Sequence, residues 1–115
     1  MSEVIYHMCP AELWEAAVAA GSYHGTEDDR RDGFIHFSTA AQLRESARRH
    51  RAGQSGLVLV AVEAARLGER LRWEPSRGGA LFPHFYGALA LESVRSTEPL
   101  PLGENGLHRF PRLTV

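Results

Sequence analysis

Three histidines stand in apolar settings that suit the ends of buried strands: Ile5-Tyr6-His7, Gly33-Phe34-Ile35-His36-Phe37-Ser38 and Leu81-Phe82-Pro83-His84-Phe85-Tyr86-Gly87. Imidazole gains and loses a proton near neutrality, so a histidine held at a cleft rim can do acid–base work or address a ligand. Groups able to complete a site lie close by in sequence. Ser38 ends one segment and Tyr86 stands next to last in another, and the stretch from Leu71 to Gly79 supplies Arg72, Glu74 and Arg77. Guanidinium forks suit phosphate or carboxylate ligands, and a tyrosine ring can stack on a base. A carboxylate stabilises the positive charge that develops on a sugar when the bond at its anomeric carbon breaks. We therefore expect His7, His36, Ser38, Glu74, Arg77, His84 and Tyr86 to share one concave surface.

Each of these residues also has a plainer reading. His36 can donate to a backbone carbonyl in a core, and His84 after Pro83 can be a turn residue. Glu74 beside Arg72 and Arg77 can form a surface ion pair of little energetic weight. Trp14 and Trp73 read as core. Arg48-Arg49-His50-Arg51 reads as a solvated helix end, and Tyr23-His24-Gly25-Thr26 as part of a polar loop. A zinc site from His7, His36 and His84 lacks the His-x-His or His-Glu-x-x-His spacing that would support it, so no metal is expected.

Composition excludes several chemistries. All 13 basic residues are arginine, which removes the lysine needed by a phosphate-binding loop of the Gly-Lys type, by a pyridoxal enzyme or by a Schiff-base aldolase. A net charge of −1 gives no field to draw in nucleic acid or an anionic membrane. Cys9 is the only cysteine, so neither an internal disulfide nor a multi-cysteine zinc site can form. No basic-then-apolar signal pattern and no membrane-length apolar run is present, and a cytoplasmic protein is expected.

The elements that must position the site read as one α+β domain over residues 1–115. Val4-Ile5-Tyr6 is an apolar strand, Pro10 opens a helix that Gly21 stops, and residues 21–33 read as a long polar loop before a strand from Phe34 to Phe37. Thr39-Ala40-Ala41-Gln42 matches a capping box and starts a second helix running to about His50. Leu57-Val58-Leu59-Val60-Ala61-Val62 is apolar on both faces and must be a central strand. Further strands are expected at Leu71–Glu74 and near Ala88 to Val94, with irregular chain from Pro99. The expected architecture is a small mixed sheet split into two halves, flanked by the two helices.

The succession of Ile5-Tyr6-His7, the Pro10-x-x-Leu13-Trp14 helix start, Asp32 to Thr39, Leu57 to Val62, Leu71 to Glu74 and Phe82 to Gly87 resembles domain of unknown function family 952, over nearly the whole chain. That family in turn resembles the ADP-ribosyltransferase-like superfold, most clearly RNA 2′-phosphotransferases. Those enzymes carry Leu-Tyr-His-Gly-Thr on a first strand and His-Val-His-Leu-Ser on a second, then a helix, an Arg-His pair and an apolar strand. The matching positions here are Tyr6 and His7, His36 and Ser38, Arg49 and His50, and the strand from Leu57, with Met8-Cys9 in place of Gly-Thr. The resemblance implies an NAD, ADP-ribose or other nucleotide-like ligand in a cleft between two half-sheets, with NAD as substrate and no required cofactor. Glu74, His36 and His84 are the expected catalytic groups, with Glu92 the other place for the carboxylate; His7, Ser38, Arg72, Arg77 and Tyr86 are the expected ligand contacts. The alternative is a non-catalytic module that binds a small ligand or a partner on the same scaffold.

Overall fold

Strand β1 (Val4–Pro10) organises the molecule, because its period-two alternation sends side chains into two different cores. Ile5 and Cys9 face one, with Trp14, Phe37, Val60 and Phe85. Val4 and Tyr6 face the other, with Leu43, Leu57, Leu59 and Leu100. The computed structural model describes residues 3–114, and the side chain of Arg77 lies outside the described residues.

The remaining elements are α1 (Ala11–Ala20), β2 (Ser22–Tyr23), α2 (Glu27–Asp32), β3 (Ile35–His36), β4 (Ser38–Thr39), α3 (Ala40–His50), β5 (Leu57–Glu63), β6 (Leu71–Pro75), β7 (Leu81–Phe85), β8 (Leu89–Ala90) and β9 (Val94–Leu100). They form a four-stranded sheet in the order β4-β1-β5-β9, a three-stranded sheet β3-β7-β6 and a β2-β8 pair. The α+β class and the split sheet are as expected. The strand pairing is more uniform than expected, antiparallel in every pair among the described residues.

The split falls in one short segment. Ile35 and His36 pair with β7, whereas Ser38 pairs with Tyr6 of β1. Phe37 is the pivot between the sheets: its side chain is buried and its N–H donates to the Pro83 carbonyl at 3.0 Å. A chain that changes sheets leaves a gap between them, and the candidate site opens there.

Both expected helix starts are present. Pro10 caps α1, and Gly21 ends it with φ 92, its N–H donating to the Ala17 carbonyl at 2.8 Å. Thr39 and Gln42 form the capping box of α3 in both directions, at 3.1 and 3.2 Å. Strand β5 is central and mostly buried, as its unbroken apolar run requires.

Several local expectations are corrected. Residues 21–33 are not a loop: they hold β2 and α2, and Thr26 caps α2 in a capping box with Asp29. The strand expected near Ala88 to Val94 is interrupted by a 3-10 turn at Leu91–Ser93. Strand β9 then continues to Leu100, where irregular chain was expected from Pro99. Pro99 is tolerated because β9 is an edge strand, which can lose an N–H without breaking the sheet. Trp14 is core, but Trp73 is 39% exposed on the outer face of edge strand β6. No helix among the described residues is long and apolar enough to cross a membrane.

Candidate functional site

The gap between the two larger sheets is a cleft of about 190 Å³, walled by β1, β3, β4 and β7 and rimmed by α2 and the end of α3. His7, His36, Ser38 and His84 line it. The three histidine segments thus meet, and strand register is the reason. His36 and His84 are directly opposed in the β3–β7 ladder, and Arg72 opposes His84 on the far side in β6. Period two then carries Glu74 and Tyr86 onto that same face.

His84 is held by a carboxylate. Glu74 Oε1 lies 2.8 Å from His84 Nδ1 and also accepts from the Tyr86 hydroxyl at 2.8 Å. These two hydrogen bonds hold the Glu74 carboxyl below its ordinary range, and the bond to Glu74 pushes the Tyr86 hydroxyl up. The Arg72 guanidinium sits over the Tyr86 ring, 5.2 Å from its centre. Phe34 stacks on His84 at 4.0 Å, with the rings 24° apart. Glu74, Arg72 and Tyr86 therefore stand behind His84 and do not form the cleft wall. Glu92 lies elsewhere, exposed on the turn before β9, with its backbone carbonyl 3.5 Å from Arg66 Nη1.

His36 is held by a carboxylate that sequence reasoning missed. Asp29 Oδ1 lies 2.6 Å from His36 Nδ1 and accepts from the His36 backbone N–H at 3.1 Å. Its Oδ2 accepts from the Thr26 N–H at 2.7 Å. Burial alone would raise the Asp29 carboxyl, but the His36 side chain, the neighbouring His7 and the two backbone N–H groups outweigh burial and hold it at about 2. On its other side His36 presents Nε2 to Asp32 Oδ2 at 3.1 Å. The His36 and His84 rings face each other edge to face, 5.5 Å between centres. The structure thus sets two carboxylate-held imidazoles against one another.

His7 has a different position from the one expected of a ligand contact, because both ring nitrogens are engaged. Nδ1 donates to the His36 backbone carbonyl at 2.6 Å, and the Tyr23 hydroxyl donates to Nε2 at 2.6 Å. Burial lowers the His7 pKa against the pull of Asp29, so the ring is neutral and this pairing satisfies it. Behind Tyr23 the Cys9 thiol contributes a further hydrogen bond; burial pushes that thiol up to about 11 and the Tyr23 hydroxyl far up as well. Ser38 Oγ donates to Ser46 Oγ on α3 at 3.0 Å, which ties the cleft wall to the helix.

The rim is mixed in charge. Arg51 at the end of α3 lies 4.0 Å from Asp28 of α2, and both line the cleft with Arg31, Asp32 and His50. Arg49, the other half of the expected Arg-His pair, instead bonds Glu45 at 2.6 Å. Asp29, Tyr23 and Arg51 are among the residues that sequence reasoning did not find, with Asp28, Arg31 and Asp32 on the rim. Thr26-Glu27-Asp28-Asp29 carried the signal for Asp29, since it has the capping-box spacing of a helix start. Among the described residues no three His, Cys, Asp or Glu side chains converge as metal ligands.

Solved structures of one protein are similar to this chain over most of its length. The X-ray crystal structure of protein CC0527 from Caulobacter crescentus is 44% identical, covers 92% of this chain and 93% of its own, and superposes with a TM-score of 0.89. The solution NMR structure of the same protein is 45% identical, covers 90% of each chain and gives 0.82. No curated protein matches. The family model described as Protein of unknown function (DUF952) matches residues 8–97, which hold two of the three histidine segments and leave out Ile5-Tyr6-His7, and the chain belongs to that family.

Proposed function

We propose that the cleft binds the ribose–phosphate end of a nucleotide-like ligand, NAD and ADP-ribose among them, and that His36 and His84 act on it as an acid–base pair in an ADP-ribosyltransferase-like reaction. One observation carries this reading. The two imidazoles face each other at 5.5 Å across the cleft, each with Nδ1 against a carboxylate at 2.6 or 2.8 Å. A carboxylate on Nδ1 fixes the ring orientation and leaves His84 Nε2 to address a reacting group, whereas His36 Nε2, 3.1 Å from Asp32 Oδ2, does so only once Asp32 moves aside. Glu74 then works through His84, and Asp29 is the carboxylate nearest the ligand. The cleft volume suits this assignment, since about 190 Å³ is below the ~300 Å³ at which pockets begin to hold a whole drug-sized ligand. One end of a nucleotide fits, and the rest extends over the rim past Arg31 and Arg51. The ligand is a small molecule of the cytoplasm in this reading; a net charge of −1 gives no footprint for nucleic acid at large.

The test is thermal shift and calorimetry with NAD, ADP-ribose, mononucleotides and a 2′-phosphorylated RNA end. A ligand at 100 times its Kd stabilises the fold by about 2.7 kcal/mol, which is readily seen. Turnover is then compared between wild type, Glu74→Gln, His36→Gln and His84→Gln. Loss of about a hundredfold or more in rate on replacing either imidazole supports the acid–base reading. No binding by any of these ligands overturns it. A second reading, a non-catalytic ligand-binding module, is favoured by His36 itself: a ring held from both nitrogens by carboxylates suits fixed recognition. Tight binding without turnover selects that reading.

A further inference from the structure

We propose that Asp32 is an internal competitor for the ligand's anionic group, occupying His36 Nε2 so that a phosphate or carboxylate must displace it to enter the cleft. The inference rests on the reading of the cleft as a site for an anionic ligand and names the residue that sets its selectivity.

The geometry points to Asp32 for three reasons. First, Asp29 already holds His36 through Nδ1, and Nε2 is the ring nitrogen turned to the rim, where Asp32 Oδ2 meets it at 3.1 Å. A ligand oxygen seated on His36 takes that same place. Second, Asp32 is free to yield. It is 35% exposed, it is the last residue of α2, and Gly33 follows at φ 89 with open space around it. Arg31 Nε lies 3.1 Å from Asp32 Oδ1, so a displaced carboxylate keeps a cationic partner on the surface. Third, Asp32 goes against local preference. A carboxylate in the last turn faces the negative end of the helix dipole, where an arginine or neutral residue is favoured. Its contacts with His36 and Arg31 are what offset that cost, and the first of them is with the site itself.

The same helix repeats the arrangement at the other cation of the rim, where Asp28 Oδ2 lies 4.0 Å from Arg51. Helix α2 thus carries two surface carboxylates toward the two donors an entering anion needs. Of the two, Asp32 makes the shorter contact and touches the residue at the centre of the site, so it is the one that decides affinity.

The experiment titrates inorganic phosphate and, separately, ADP-ribose into wild type, Asp32→Asn, Asp32→Ser and Glu98→Gln. The readouts are calorimetry and the His36 ring signals by NMR. Glu98 is exposed on β9 and controls for loss of one negative charge anywhere on the surface. The expected result is that both Asp32 variants bind phosphate about fivefold tighter than wild type, as removal of a partly exposed charge competitor allows. Glu98→Gln stays at the wild-type value, and adding His36→Gln to Asp32→Asn abolishes the gain. A gain of less than about threefold, a gain in only one Asp32 variant, or a gain that survives His36→Gln overturns the proposal. A gain with phosphate but no binding of ADP-ribose leaves Asp32 as the competitor and removes the nucleotide reading. Binding of ADP-ribose that is indifferent to Asp32 does the reverse.

Discussion

His36 and Asp29 meet twice, through the ring Nδ1 at 2.6 Å and the backbone N–H at 3.1 Å, both on the same carboxylate oxygen. The other oxygen caps α2 through the Thr26 N–H. One buried side chain therefore sets a helix start, a strand backbone and an imidazole together. Asp29→Ala removes a hydrogen-bonded buried charge and should cost about 3–5 kcal/mol, measured by urea denaturation. Asp29→Asn keeps one acceptor and the shape, and should cost less, about 2 kcal/mol. A loss under about 1 kcal/mol for the alanine variant contradicts the anchoring role.

Stability should fall with acid in two stages. His7 is held below its ordinary value of 6.5, so the unfolded chain takes up a proton first as pH drops below 6.5, and the folded state loses ground at up to ~1.4 kcal/mol per pH unit. Asp29 is held at about 2 against an ordinary 3.8, so its contribution is whole above 3.8 and is lost as pH falls from there to about 2. That second stage amounts to about 2 kcal/mol. Urea midpoints at pH 8, 6.5, 5 and 4 check the first stage. A midpoint unchanged between pH 6.5 and 5 would falsify the neutral, doubly bonded His7.

How far the site could be read in advance depends on which residues announce themselves. His36, His84, Glu74 and Tyr86 were legible because period two along short apolar strands fixes a shared face once the strands pair. The capped helices at Pro10 and Thr39 and the apolar run from Leu57 were legible for similarly local reasons. Asp29 and Tyr23 were not, because their segment is polar and glycine-containing, and its helix has only six residues. Tyr23 is buried by tertiary contact with Trp14 and His7, not by any local pattern. Glu74 was legible as a neighbour of the third histidine segment but not in its place behind His84, since only the β6–β7 register shows that His84 stands between it and the cleft.

Cys9 should be unreactive in the folded protein. It is fully buried and its thiol is pushed up to about 11 by burial, with the Tyr23 hydrogen bond drawing it back only in part. The thiolate is the nucleophile, so at pH 8 roughly one molecule in a thousand carries it even before access is considered. Labelling by an aromatic disulfide at pH 8 should be at least about a thousandfold slower than in the unfolded chain. It should accelerate with urea as opening becomes more frequent. Rapid labelling of the native protein contradicts this burial.

Gly25 and Gly33 flank α2, both with left-handed backbone, and they separate strain from packing. At Gly33 (φ 89) an added Cβ meets nothing within 4 Å. Gly33→Ala should therefore cost only the left-handed penalty, about 1–2 kcal/mol. At Gly25 (φ 100) the same atom would lie 2.6 Å from Asp29 Cβ and 2.9 Å from its Oδ2. Gly25→Ala should add about 1–3 kcal/mol for the overlap, and it must push the Asp29 carboxylate off His36 or off the Thr26 N–H. Because the carboxylate positions the ring, Gly25→Ala should also weaken the ADP-ribose binding proposed for the cleft, whereas Gly33→Ala should leave it nearly unchanged. Urea denaturation and calorimetry on both variants check this. Equal stability losses at the two glycines would mean that the close approach of Gly25 to Asp29 does not hold α2 against the cleft.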